Sequence, residues 1–143
     1  MSEQSALSRK LKLKAGANAA VVNAPGGYLD ALQPLPEGAT IAGKIKGPHD
    51  WIQLFCATRA DLETLAPVAA GALAPSAMLW LCFPKGSSKM QTDLTRDSGW
   101  DVMERIDLKY VTLVSVNDTW SAFGLRPYKA GEERQAPWTS RRP

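Results

Sequence analysis

Two stretches of this chain leave it few folding options. WIQLFCA (51–57) and AMLWLCFP (77–84) are apolar at nearly every position, without the alternation of a strand that keeps one face wet. Runs this short, bounded by polar or turn residues, read as strands buried on both faces. Such a strand needs cover on both sides of its sheet, the arrangement of parallel α/β proteins. Between the two runs, Thr58 and Asp61 have the spacing of a capping box, with Asp in place of the usual Glu or Gln. Leu62, Leu65, Ala69, Ala72 and Leu73 then follow helical spacing, and Pro67 is expected to kink or restart that helix because it lacks an N–H.

The rest of the chain continues the alternation, with no internal repeat. Ala20–Asn23 reads as a short strand, followed by an APGG turn and a short helix over Tyr28–Leu32. A Pro-rich loop, Gln33–Gly38, leads to a weaker strand near Thr40–Ile45. Beyond a polar loop, Lys85–Thr92, the residues Trp100, Met103 and Ile106 recur at threes and predict a helix over Asp97–Asp107. Tyr110–Val116, a turn at Asn117–Asp118, and Trp120–Leu125 form the pattern of a β-hairpin. Right-handed crossovers then give a Rossmann-like, mostly parallel sheet of five to six strands with a C-terminal antiparallel hairpin. A terminal hairpin on such a sheet resembles the topology of small-molecule methyltransferases. The expected organisation is a basic N-terminal arm (1–14), one α/β domain (15–127) and a basic C-terminal tail (128–143).

Composition narrows the function classes. Hydrophobic residues make up 45% and charged residues 22% of the 143, which excludes a disordered chain. No apolar run approaches the roughly 20 residues that span a bilayer, and the first residues lack the apolar segment of a signal peptide. A soluble, cytoplasmic protein without a membrane partner is expected. The +3 net charge belongs to the ends. Arg9, Lys10, Lys12 and Lys14 oppose only Glu3, and Arg126, Lys129, Arg134, Arg141 and Arg142 oppose only Glu132 and Glu133. Between these ends acidic residues outnumber basic ones. Basic ends on such a body can attract nucleic acid or another polyanion, or simply keep the protein in solution. Cys56 and Cys82 sit inside apolar runs and read as buried free thiols. His49, the one histidine, has no carboxylate at ligand spacing and reads as a loop residue, so no metal site is expected.

In open α/β sheets the ligand crevice lies outside the carboxyl ends of the strands. That rule selects Asn23–Gly27, Ala57–Arg59, Pro84–Ser88 and, if the hairpin's first strand runs parallel to the others, Asn117–Thr119. Lys85, Ser87, Ser88 and Arg96 could hold a small anionic ligand there, with Asp93 and Asp118 as an ionic frame and Trp120 shaping a wall. Gly86 would let backbone amides approach the anion. The plainer reading is a surface loop whose Asp and Arg pair with each other and cap the following helix, with Lys85 and Asp118 as an ion pair. Trp51, Trp80 and Trp100 read as core, and Trp138 as an interaction anchor in the tail.

The stretch PKGSSKMQTDLTRD (84–97), with NDTWSAFGLRP (117–127), is similar to a family of small bacterial proteins catalogued only as a domain of unknown function. LKAGANAAVVNAPGGY (13–28) fits the same pattern, so the resemblance covers residues 12–127. Family members more often carry Gly-Ile after the paired serines, where this chain has Lys89–Met90. Lys85, Ser87, Ser88, Thr92, Asp93, Leu94, Arg96 and Asp97 all match. The resemblance implies a compact Rossmann-like protein with no assigned activity. The methyltransferase likeness implies S-adenosylmethionine, but Asn23-Ala-Pro-Gly-Gly27 lacks the GxG spacing and the second strand, TIAGKI, ends in lysine rather than an acid. The expectation is therefore a binding module rather than an enzyme, with no cofactor. The alternatives are a degenerate S-adenosylmethionine-dependent transferase and a nucleic-acid or protein adaptor working through the basic ends.

Overall fold

A computed structural model describes residues 4–88, 90 and 92–135. One six-stranded sheet organises them, formed by β1 (Asn18–Val22), β2 (Thr40–Ala42), β3 (His49–Phe55), β4 (Leu73–Pro84), β5 (Leu108–Ser115) and β6 (Trp120–Pro127), in the order β2-β1-β3-β4-β6-β5. The first four strands are mutually parallel, while β6 runs antiparallel to both β4 and β5. β5 therefore points the same way as β1–β4, and the expected mostly parallel sheet with a C-terminal hairpin is present. Three short helices complete the fold: α1 (Ala6–Lys10), α2 (Tyr28–Leu32) and α3 (Arg59–Gly71), with a 3₁₀ turn at Asp101–Arg105.

The two apolar runs occupy the centre of the sheet for the reason their composition suggests. Alternate residues of β3 and β4 feed two separate cores. Ile52, Leu54, Leu79, Leu81 and Phe83 pack with Leu62, Ala66 and Ala69 of α3 and with Trp100. Trp51, Phe55, Trp80 and Cys82 pack on the other face with Leu11, Leu13, Tyr28 and Leu32. Gly124 of β6 makes room for this second core: a Cβ there would lie 2.8 Å from the Trp80 ring.

α3 begins as its sequence suggests. Thr58 is its N-cap and accepts the Asp61 N–H at 3.2 Å, but the Asp61 carboxylate accepts from Ala57 N–H rather than from Thr58. The helix runs through Pro67 without restarting. Pro67 is exposed, so water can take the backbone carbonyl that the missing N–H leaves unpaired.

Several expectations are corrected. The strand near Thr40–Ile45 stops at Ala42. Gly43–Pro48 then crosses directly to β3, with Ile45 packed against the α3-side core in place of a helix. His49 is not a loop residue but the first residue of β3, only 2% exposed, its Nε2 accepting the Lys46 N–H at 3.0 Å. The helix expected over Asp97–Asp107 shrinks to the 3₁₀ turn. Gly99, at φ +97°, interrupts it, and a Cβ there would meet the Asp93 carbonyl at 2.8 Å.

Among the described residues, both basic ends pack against the sheet domain. Leu11 and Leu13 are fully buried, and the indole N–H groups of Trp51 and Trp80 both donate to the Leu11 carbonyl, at 2.7 and 2.8 Å. Ser5 caps α1 and donates to the Leu32 carbonyl at 2.6 Å, tying α1 to α2. At the other end, residues 128–135 lie against β5. Gln135 exchanges two hydrogen bonds with the Tyr110 backbone, at 2.9 and 3.0 Å, and Arg134 pairs with Asp107 at 2.7 Å. Trp138 and the remaining tail lie outside the described residues.

Candidate functional site

Strand order reverses between β1 and β3, which makes their carboxyl ends the switch point where open α/β sheets bind ligands. The chain closes much of this edge with its own groups. Phe55, the last residue of β3, meets Tyr28 edge-on at 4.6 Å and Trp120 at 5.1 Å between ring centroids. The Tyr28 hydroxyl donates to Gln53 Oε1 at 2.8 Å, and Gln53 donates on to Cys82 Sγ at 3.3 Å. Burial raises the Tyr28 and Cys82 pKa values well above their ordinary ranges. Burial, reinforced by the nearby Asp61 carboxylate, pushes the Cys56 thiol up to about 12. Neither cysteine is a thiolate nucleophile near neutral pH.

The groups beyond β3 are also committed. Ala57 N–H donates to Asp61, and the Ala57 carbonyl accepts from the Thr92 hydroxyl. Asp93 accepts the Arg59 N–H at 2.8 Å, while the Arg59 side chain pairs with Glu63 and Asp101 at 3.0 and 3.1 Å. Those partners, Glu63 first, raise the Arg59 pKa.

The expected site residues therefore divide into separate groups. Lys85 and Ser88 share a tight turn, with Ser87 between them. Ser88 N–H donates to the Lys85 carbonyl at 3.0 Å, and Lys85 N–H reaches the Thr119 carbonyl at 2.8 Å. This brings the turn beside the β5–β6 connection, where Asn117 accepts from the Thr119 and Trp120 amides, both at 2.9 Å. Lys85 Nζ donates to Ser115 Oγ at 2.6 Å and makes no ion pair with Asp118, contrary to expectation. Asp93 and Arg96 belong elsewhere: Asp93 sits on the first turn of α3, and Arg96 pairs with its neighbour Asp97 at 3.2 Å. Trp120 is 7% exposed, a core ring more than a wall for a ligand. The Asp–Arg pairing foreseen for this loop is that of Arg96 with Asp97, whereas Asp93 reaches back to the start of α3 and no side chain caps the 3₁₀ turn that follows.

At the opposite edge of the sheet lies a cavity of about 420 Å³ that sequence reasoning missed. Lys12, Lys14, Asp50, Trp51, Met78 and Arg126 are among its lining residues. The basic character of both ends was the available signal; that their cations meet is a consequence of the fold. Arg126 is joined to Glu132 by two hydrogen bonds of 2.9 and 2.7 Å, and Lys109 reaches the same carboxylate at 2.8 Å. Lys109 and Arg126 are directly opposite each other on β5 and β6, a like-charge pair that Glu132 bridges. The two cations and the Lys129 N–H hold the Glu132 carboxyl far below the usual carboxylate range. Among the described residues, no group of three or more His, Cys, Asp or Glu could hold a metal ion, and no helix is long and apolar enough to cross a membrane.

No protein-family model and no curated protein matches the sequence. The resemblance carried by PKGSS, TDLTRD and DTWSA thus rests on those residues alone. Solved structures do match in fold. An O-methyltransferase family 2 protein from Planctomyces limnophilus, in complex with apigenin, is similar over 80% of this chain and 50% of its own, with 12% identity and a TM-score of 0.56. A ribosomal protein L11 methylase from Lactobacillus delbrueckii subsp. bulgaricus matches over 85% of this chain and 76% of its own, at 10% identity and a TM-score of 0.54. DhpI in complex with SAH matches over 85% and 82%, at 9% identity and a TM-score of 0.56. The chain thus spans half the length of the O-methyltransferase, and its fold is methyltransferase-like.

Proposed function

We propose that this methyltransferase-like sheet serves as a binding module for a small anionic ligand rather than as a methyl-transfer enzyme. The observation that carries the reading is Lys85, whose ammonium has a serine hydroxyl but no carboxylate as partner among the described residues. Ser87 and Ser88 add hydroxyls on the same turn, at the edge where sheets of this kind take ligands. Such a cluster suits a phosphate or carboxylate group, because the ammonium supplies charge and the hydroxyls direct it.

The residues of the switch point do not fit S-adenosylmethionine. Pro25 offers no amide after β1, and β2 is followed by Gly43–Lys44 instead of an acid suited to a ribose diol. Both backbone groups of Ala57 are taken by Asp61 and Thr92. A second reading, a degenerate transferase with residual cofactor affinity, draws support from the fold likeness to DhpI in complex with SAH.

An amide-resolved NMR titration separates the two. Phosphate or succinate is expected to shift the Gly86–Ser88 and Asn117–Thr119 amides, and Lys85→Ala to abolish those shifts. Shifts confined to Asn23–Gly27 with S-adenosylhomocysteine would replace the anion reading by the transferase one. Silence at Gly86–Ser88 with every anion would remove it.

A further inference from the structure

The cavity at the amino edge is a different site, built from elements far apart in sequence. Lys12 and Lys14 come from the segment after α1, Asp50 and Trp51 from β3, Met78 from β4 and Arg126 from the end of β6. Neither lysine has an acidic partner among the described residues. Asp50 is partly occupied, its Oδ2 accepting the Asn18 N–H at 2.9 Å. Arg126 and Lys109 share the single carboxylate of Glu132, so this trio keeps one positive charge. Counting Lys12, Lys14 and Asp50 with that trio leaves an excess of two positive charges around the opening.

The backbone at Lys12 sets where its side chain goes. Its φ is +61°, a left-handed conformation that a side chain with a Cβ disfavours. Leu11 and Leu13 on either side are buried, with both indoles fastened to the Leu11 carbonyl. This reversal is the left-handed cap that ends α1, with Lys12 N–H on the Arg9 carbonyl and Leu13 N–H on the Ser8 carbonyl, both at 3.0 Å, and it presents Lys12 to the cavity. Glycine would adopt the same conformation with less strain.

We infer that the amino-edge cavity binds a phosphate monoester on a small organic body. At neutral pH such a group carries close to two negative charges, which matches the local excess. The volume of about 420 Å³ accommodates more than the phosphate itself and falls within the usual span of small-ligand sites. Half-buried Met78 provides apolar wall for the attached body, with the buried Trp51 behind it. The site is separate from Lys85, which stands at the opposite edge of the sheet.

Calorimetry with adenosine 5′-monophosphate, inorganic phosphate and adenosine tests this on the full chain. The monophosphate is expected to bind, phosphate more weakly, and adenosine not at all. Lys12→Ala/Lys14→Ala should weaken the monophosphate at least tenfold, whereas Lys10→Ala, an exposed lysine outside the cavity lining, should leave it unchanged. Lys12→Gly guards against a merely structural effect, since it should weaken binding while keeping or raising Tm. Binding unchanged in the double variant, equal binding of adenosine, or no binding of either phosphate compound to the wild-type chain would overturn the inference. Loss in Lys85→Ala with retention in the lysine double variant would assign the ligand to the carboxyl edge instead.

Discussion

The two edges of the sheet are made from the same strands yet have opposite characters. At the carboxyl edge, aromatic rings pack beneath the switch point and side chains consume the backbone groups: Asp61 takes the Ala57 amide, Thr92 its carbonyl, and Asp93 the Arg59 amide. At the amino edge, two indoles strap the N-terminal segment across β3 and β4, and the strap leaves an open cavity with two lysines that have no acidic partner among the described residues. Apart from the Lys85 turn, the carboxyl edge spends its polar groups on holding itself together, whereas the amino edge uses a buried anchor and leaves Lys12 and Lys14 exposed. The usual location of ligands in an α/β sheet thus depends on open polar groups as well as on topology.

The sharpest way to break this contrast is to cut the strap. Either Trp51→Phe or Trp80→Phe alone leaves the Leu11 carbonyl with one donor. The double variant leaves that buried carbonyl unpaired and removes two ring volumes, a loss of roughly 3 kcal/mol or more and greater than the sum of the single effects. Chemical denaturation of all four proteins measures the coupling. Protection of the Gln135-bonded Tyr110 amide should persist in the single variants.

The carboxyl edge can be loosened in turn. Gly99→Ala forces a Cβ to 2.8 Å from the Asp93 carbonyl at a φ of +97°. The expected cost is about 2 kcal/mol, read by denaturant midpoint. Hydrogen exchange should localise the change to residues 92–105 and leave Trp51 and Trp80 protected. Thr58→Ala removes the α3 N-cap and should cost about 1 kcal/mol, with faster exchange at the Asp61 amide and no effect at the amino edge.

The smallest expected effect is acid release of the segment along β5. Glu132 has a folded-state pKa depressed by Arg126, Lys109 and the Lys129 amide from its ordinary 4.5. Its stabilisation is therefore fully present above about pH 5 and is lost as the pH falls toward the folded value. Hydrogen exchange at the Tyr110 amide should stay slow from pH 7 to 5 and accelerate progressively below that, after correction for intrinsic rates. Glu132→Gln should remove most of that acid dependence.

What the sequence by itself determined is the mostly parallel sheet, its central strands and its C-terminal hairpin. The runs at 51–57 and 77–84 are too apolar and too short for anything but central strands, Thr58 starts a helix by its own hydroxyl, and the β-rich end from Tyr110 can only return on itself at Asn117–Asp118. These are local features, set by side-chain polarity and backbone preference within a few residues. The tertiary structure decided what local pattern does not encode. Trp100, Met103 and Ile106 keep helical spacing, but Gly99 and the approach of Asp93 leave them only a 3₁₀ turn. His49 becomes a buried strand residue because Lys46 supplies its Nε2 with a donor. The Lys85 loop separates from Asp93 and Arg96 because hydrogen bonds draw the first to the hairpin turn and the second toward α3. Lys12 and Arg126, 114 positions apart in the chain, face one cavity because two indoles hold the N-terminal segment there and the antiparallel return of β6 carries Arg126 to the same edge.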